Sequence, residues 1–305
     1  MRPMNLKSEL DKRTGQAEEV IKRYLPKDAP HQHTVIEAME YSVTVGGKRL
    51  RPVMMKASCE MCGGSGSIEP FMAAIEMIHS YSLVHDDLPE IDNDELRRGK
   101  PTTHIRYGQA MAVLAGDGLL NYAYETVLKH AAEAEDKNAY IKAMALLAEK
   151  AGIYGMVGGQ CLDVEAEKKE MELSEEQILF VYENKTAALL QASLMCGAYL
   201  AGNDEAAAVL EQAGYDLGIA FQLQDDILDI ESTTEELGKP VGSDERNGKK
   251  TYVSYLGIET ARKEQERLSK EAVELISRIE TANEEQENAK EFLMELIVSL
   301  CSRRK

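Results

Sequence analysis

The chain has 305 residues, 44% of them hydrophobic, and its 53 acidic residues outnumber 35 basic ones to leave a formal net charge of −18. That surplus of acid argues against nucleic acid and against an anionic membrane surface as the main partner, since both would repel it. Five scattered cysteines do not make a secreted disulfide framework, and the N-terminal stretch has no apolar core of the secretory kind. The most apolar long stretch, 186–202, is interrupted by Gln191 and is too short to span a membrane, so the expected setting is the cytoplasm.

From the N-terminus, apolar residues recur at three- and four-residue spacing over 5–24, 33–46, 50–62 and 68–87, which predicts four helices. Between the second and third lies a basic, glycine-rich loop, Gly46-Gly47-Lys48-Arg49-Leu50-Arg51-Pro52. Cys59 and Cys62 have the two-residue spacing of zinc and redox motifs. No second pair or spaced histidine follows, and they read as a helix end before Gly63-Gly64-Ser65-Gly66. The 68–87 helix runs into an acidic cluster, Asp86-Asp87-Leu88-Pro89-Glu90-Ile91-Asp92. Pro89 has no N–H for the His85 carbonyl, so the helix should break near Asp87 or Leu88, and the break can fold Asp92 back towards Asp86. His79 lies two turns below Asp86 on the same face. A second basic loop, Leu96-Arg97-Arg98-Gly99-Lys100-Pro101, follows.

Helices are next predicted over 108–133, 137–159, 174–202 and 204–230, the third opened by a capping box at Ser174-Glu175-Glu176-Gln177. The fourth carries the other acidic cluster, Asp225-Asp226-Ile227-Leu228-Asp229. Spacings of three and four put Gln222, Asp225 and Asp229 on one helix face, with Asp226 one step round and Phe221 beginning an apolar side. A third basic loop runs from Gly238-Lys239-Pro240 to Gly248-Lys249-Lys250, and helices over 251–281 and 284–301 complete the chain. No region alternates in the strand manner, no linker divides the sequence, and no repeat recurs. The expectation is one all-α domain over residues 1–305.

Carboxylates at the ends of apolar runs need something positive to neutralise them. Magnesium suits such a place, since it takes a few carboxylates and completes its shell with water and substrate phosphates. Two clusters facing one cavity would thus form a multi-magnesium site for a diphosphate. The basic loops supply forked and point-charge phosphate donors, and no phosphate-cradling glycine loop of the nucleotide-binding kinds is present.

Asp86-Asp87-Leu88-Pro89 through Asp92 with its trailing arginines, Gly46–Pro52, Lys185-Thr186, Phe221-Gln222 and Asp225–Asp229 together resemble, in order, the motif blocks of trans-isoprenyl diphosphate synthases. The resemblance runs from about residue 30 to 256, and its first motif has the longer spacing seen in bacterial farnesyl and many geranylgeranyl diphosphate synthases. It departs at Glu90-Ile91, where the family usually has a small residue and methionine.

The resemblance implies a helical bundle around a deep central cavity, usually a homodimer, which joins isopentenyl diphosphate head-to-tail to an allylic diphosphate. Asp86, Asp87, Asp92, Asp225 and Asp229 would hold magnesium, three ions with diphosphate bound, with Asp226 beside them. Arg97, Lys185, Lys239 and Lys249 would contact the allylic diphosphate, and Lys48, Arg51, His79 and Arg98 the isopentenyl one. Thr186, Gln222 and Phe221 would face the allylic cation. Tyr81 lies about 7 Å down the helix from Asp86, where a ring would stop the growing tail after a few isoprene units and the neighbouring Ser82 would not. The expected product is farnesyl diphosphate, with geranylgeranyl diphosphate as the alternative. Of other readings, a terpene cyclase lacks the isopentenyl-binding blocks, and a non-catalytic partner subunit would have lost an aspartate from one cluster.

Overall fold

The computed structural model describes residues 4–64, 68–231 and 251–303. Its centre is α10 (Ala188–Leu200), in which every residue from Ala188 to Ala198 is buried. The apolar stretch weighed as a membrane span is therefore the core of the bundle, and no helix among the described residues is long and apolar enough to cross a membrane. Around it pack α3 (Leu50–Met61), α7 (Lys137–Ala151) and the 28-residue α11 (Asp204–Glu231). Next to these, α4 (Glu69–Asp86) packs on α1 (Leu6–Tyr24), α2 (His33–Thr44) and α6 (Gln109–His130), the last preceded by the single-turn α5 (Thr103–Tyr107). After the undescribed 232–250, the short α12 (Tyr252–Leu256), α13 (Ile258–Ser277) and α14 (Glu284–Cys301) close the bundle against α11 and α3. The fold is all-α, as the periodicity predicts.

Local chemistry sets many of these boundaries. Asn5 and Asp136 accept from backbone N–H groups of the turns that follow them and so cap α1 and α7. The capping box expected at Ser174 is present at the start of α9 (Glu175–Val181): Gln177 N donates to Ser174 Oγ at 3.3 Å, and Ser174 N to Gln177 Oε1 at 2.9 Å.

Four segments differ from the sequence expectation, one of them the 251–281 helix, which breaks at Gly257 (φ 80°) into α12 and α13. The 137–159 helix is two helices, α7 and α8 (Met156–Lys168), separated by a turn in which Gly155 N donates to Gly152 O at 3.0 Å. The 174–202 helix changes pitch to a π-helix at Tyr182–Ala187, between α9 and α10. A two-residue antiparallel ladder also appears where no strand was expected. Leu96–Arg97 pairs with Lys100–Pro101 across Arg98-Gly99, and both turn residues have positive φ (54° and 73°), the geometry a tight hairpin needs.

Candidate active site

The first acidic cluster is a helix end folded on itself. α4 stops at Asp86, and the chain then turns so that Asp92 N donates to Asp86 O at 2.9 Å and Asn93 N to Leu88 O at 3.0 Å. Asp92 thus returns to Asp86, as the proline break predicts. Asp86 Oδ1 accepts from Gln160 Nε2 of α8 at 2.7 Å, and burial pushes its carboxyl up to about 6, against the lowering effect of Lys185. Asp87 points elsewhere: it is buried and takes the Arg97 guanidinium, with Nε at 2.7 Å and Nη2 at 2.6 Å. The pair expected to divide between a metal and a diphosphate is here joined to itself, and it braces the loop after α4. Glu90 is exposed, and Ile91 is the residue of that departure that borders the cavity.

The π-helix links this cluster to the second one. Lys185 Nζ meets Asp163 Oδ2 of α8 at 2.5 Å, and the next residue, Thr186, donates through Oγ1 to Gln222 Oε1 at 3.1 Å. Gln222 Nε2 in turn donates to Asp226 Oδ1 at 3.2 Å, and Tyr182 Oη donates to the other Asp226 oxygen. Asp226 is buried, so it organises the inner side of α11. Asp225 and Asp229 lie half-buried on the outer side of that helix. A π turn displaces its residues from regular helical register, a distortion frequent at functional sites. It is tolerated here because α8 comes close: a Cβ at Gly159 would lie 2.3 Å from Lys185 N.

The cationic side is built from residues before α3, on α4 and in the hairpin. Arg98 lies over the glycine pair and donates to Gly46 O. Arg51 and His79 line the cavity, whereas Lys48 is exposed. Buried Arg49 is held by buried Glu76 at 2.7 Å, leaving positive charge in excess. Burial lowers Arg51 to about 10, with Glu76 opposing and Arg98 adding, and its Nε has no partner among the described residues. Burial, then the charges of Arg51, Arg98, Arg97 and Arg49, pull His79 well below its ordinary value and keep it neutral at pH 7. Arg49, Asn93 and Arg98, three of the four described non-glycine residues with positive φ, stand in these two loops.

The cationic side and the first cluster open on one cavity of about 740 Å³ between α4, α8 and the π-helix, whereas Phe221, Gln222 and the aspartates of the second cluster are not among the described residues that line it. Its wall includes Arg51 and His79 at one part and Asp86, Lys185 and Thr186 at another, with Tyr81, Ser82, Met156, Val157 and Val164 giving an apolar flank. The donors near Asp86 are oxygens, from the carboxylates of Asp86 and Asp92 and the amide of Gln160, whose buried Oε1 has no partner among the described residues. Hard oxygen donors fit magnesium. Lys239 and Lys249 lie outside the described residues.

Sequence reasoning missed several residues of this site. Gln160 and Asp163 were hidden because Gly158-Gly159 was read as the end of one helix rather than the first turn of another. Lys168 reaches across the cavity mouth to Ile91 O at 2.9 Å. Arg303, near the chain end, pairs with Asp225, and its guanidinium lies 4.0 Å from the Phe221 ring centre, so the ring expected to face the cation is covered. Nothing local in the sequence signals the last two contacts.

Comparison with known proteins agrees with this geometry. The polyprenyl synthetase family model matches residues 32–295. The farnesyl diphosphate synthase of Geobacillus stearothermophilus is 41% identical over 265 residues, covering 86% of this chain and 88% of that protein. The geranylgeranyl diphosphate synthase of Cyanophora paradoxa is 42% identical over 275 residues, covering 89% and 90%. The apo structure of an FPP/GFPP synthase from Zymomonas mobilis superimposes with a TM-score of 0.85 at 31% identity, over 98% of this chain and 99% of that one. The protein is thus an all-α synthase with a diphosphate-suited cavity. It belongs to the polyprenyl synthetase family.

Proposed function

We propose that the chain joins isopentenyl diphosphate to dimethylallyl and then geranyl diphosphate, giving (2E,6E)-farnesyl diphosphate. Transfer of prenyl groups is the activity of its relatives, several of them named farnesyl diphosphate synthase. The observation that carries the reading is the single cavity with Arg51 and His79 at one part, Asp86, Lys185 and Thr186 at another, and Tyr81 in its apolar wall.

In this reading Asp86, Asp92, Asp225 and Asp229 would hold magnesium and, through it, the allylic diphosphate, while Lys185 adds a fixed charge. The chemistry magnesium would supply there is positive charge to offset that of the leaving diphosphate. Lys48, Arg51, His79 and Arg98 hold isopentenyl diphosphate, with neutral His79 donating a hydrogen bond. The allylic carbon–oxygen bond breaks with its electron pair leaving on diphosphate, and the isopentenyl double bond attacks the resulting cation. The proton lost from the isopentenyl unit passes to the released diphosphate, so no protein nucleophile takes part. Thr186 and Gln222, fixed by their mutual hydrogen bond, direct oxygen dipoles towards the cation. We assign the work to one domain over 1–305, acting as a cytoplasmic homodimer. Purified protein with magnesium, dimethylallyl and isopentenyl diphosphates should yield farnesol after phosphatase treatment. Geranylgeraniol would move the assignment to the twenty-carbon product, and no alcohol longer than the five-carbon ones released from the substrates would end it.

A further inference from the structure

His85 stands immediately before the metal-binding aspartate, yet its side chain belongs to the flank that carries Tyr81. The two rings are four residues apart on α4 and meet edge to face, with centres 5.8 Å apart at 80°. One side of the imidazole borders the cavity. The other side is seated in α6, where Nε2 lies 3.2 Å from Val113 O and 3.9 Å from Asp117 Oδ1. The seat exists because residue 116 is glycine. A Cβ there would lie 2.1 Å from His85 Nε2, 2.4 Å from Cδ2 and 2.8 Å from Cε1. The α6 backbone therefore fixes how far the ring retreats from the cavity, and Tyr81 fixes its tilt.

We infer that His85, seated at Gly116, is a specificity-determining residue that forms one aromatic wall with Tyr81 and sets the width left for the allylic tail beside its first isoprene unit. The inference rests on the prenyltransferase reading and adds to it a control of cavity width that is set from α6. Tyr81 stops the tail by its position along α4, and His85 keeps the tail from turning sideways towards α6. A methyl at residue 116 has no room unless the ring moves. With Tyr81 on one side and α6 behind, the ring is displaced towards the cavity it borders.

The test compares wild type, Gly116→Ala, His85→Ala and the double variant, with magnesium, isopentenyl diphosphate and either dimethylallyl or geranyl diphosphate. Gly116→Ala should lower kcat/KM for geranyl diphosphate about tenfold more than for dimethylallyl diphosphate, mostly through KM, and shift the alcohols towards geraniol. His85→Ala should do the reverse and raise the twenty-carbon share. In the double variant the ring that collides with the methyl is gone, so use of geranyl diphosphate should return to within about threefold of His85→Ala. Wild-type substrate preference in a folded Gly116→Ala protein overturns the inference. So does a wild-type product length in His85→Ala, which decides the matter alone if Gly116→Ala fails to fold. A wild-type protein that forms no alcohol longer than that of the allylic substrate supplied ends the prenyltransferase reading itself, whereas farnesol from every variant ends only the role given to His85.

Discussion

The two acidic clusters hold their carboxylates by opposite routes. The first is a broken helix end, held in shape by the Asp92–Asp86 backbone bond, the Arg97–Asp87 pair and Gln160. The second is a row on the unbroken α11, where helical spacing alone sets Asp225 and Asp229 on one face and turns Asp226 inward to Tyr182 and Gln222. A helix face needs little outside help to hold two carboxylates in register. A loop needs a brace for each of its turns, and the braces come from α8 and from the hairpin. Damage to a brace should therefore weaken the first cluster far more than the second.

The largest expected effect tests what the clusters share. Asp86→Asn and Asp225→Asn should each lower turnover by roughly 10³-fold or more at limiting magnesium, the scale of losing a main transition-state stabiliser. Near wild-type turnover in either would sink the metal assignment. Asp86→Asn should also raise the thermal midpoint of the metal-free protein, because burial penalises the charged form that asparagine lacks.

The braces separate the two clusters. Asp87→Asn leaves Arg97 partly buried without its carboxylate and should cost about 1–3 kcal/mol of stability, read as a lower denaturant midpoint, together with weaker magnesium activation. Tyr182→Phe removes one of the hydrogen bonds to Asp226 and leaves Tyr252 N without its acceptor but keeps the α11 backbone in place, and should cost about 1–3 kcal/mol with magnesium activation little changed. Equal effects on magnesium activation would erase the distinction between loop and helix.

On the cationic side, Arg51→Ala should raise KM for isopentenyl diphosphate about tenfold more than that for the allylic substrate, on the scale of a lost charge-assisted hydrogen bond. Equal changes would show the site to be divided wrongly. Within the wall, Tyr81→Ala should lengthen the product to twenty carbons or more. Tyr81→Phe should keep farnesol, since the buried Tyr81 hydroxyl has no partner among the described residues to lose.

The smallest effect concerns pH. His79 is depressed in the fold, so the unfolded chain takes up its proton first as pH falls below about 6.5. Stability associated with His79 is thus present above pH 6.5 and is lost as the pH drops towards the folded-state value. His79→Gln should flatten the decline of the thermal midpoint between about pH 6.5 and 5. An unchanged slope would show that His79 is not held neutral by burial and its arginine neighbours.

Much of the molecule was legible in the chain itself. Apolar period, caps and prolines determined the all-α class and most helix limits, because these are local properties of backbone hydrogen bonding. Pro89 determined the break that returns Asp92 to Asp86, and spacing determined the shared face of Asp225 and Asp229. Tertiary structure alone decided which carboxylates are tied up by neighbours: Asp87 by Arg97, Asp226 by Tyr182 and Gln222, and Asp225 by Arg303 some eighty residues away. It also decided the pitch change at Tyr182–Ala187, which depends on how closely α8 approaches at Gly159, and the seat of His85, which depends on a glycine in another helix. Sequence spacing fixes which residues share an element, but the partner of a buried charge or ring is set by packing between elements distant in the chain.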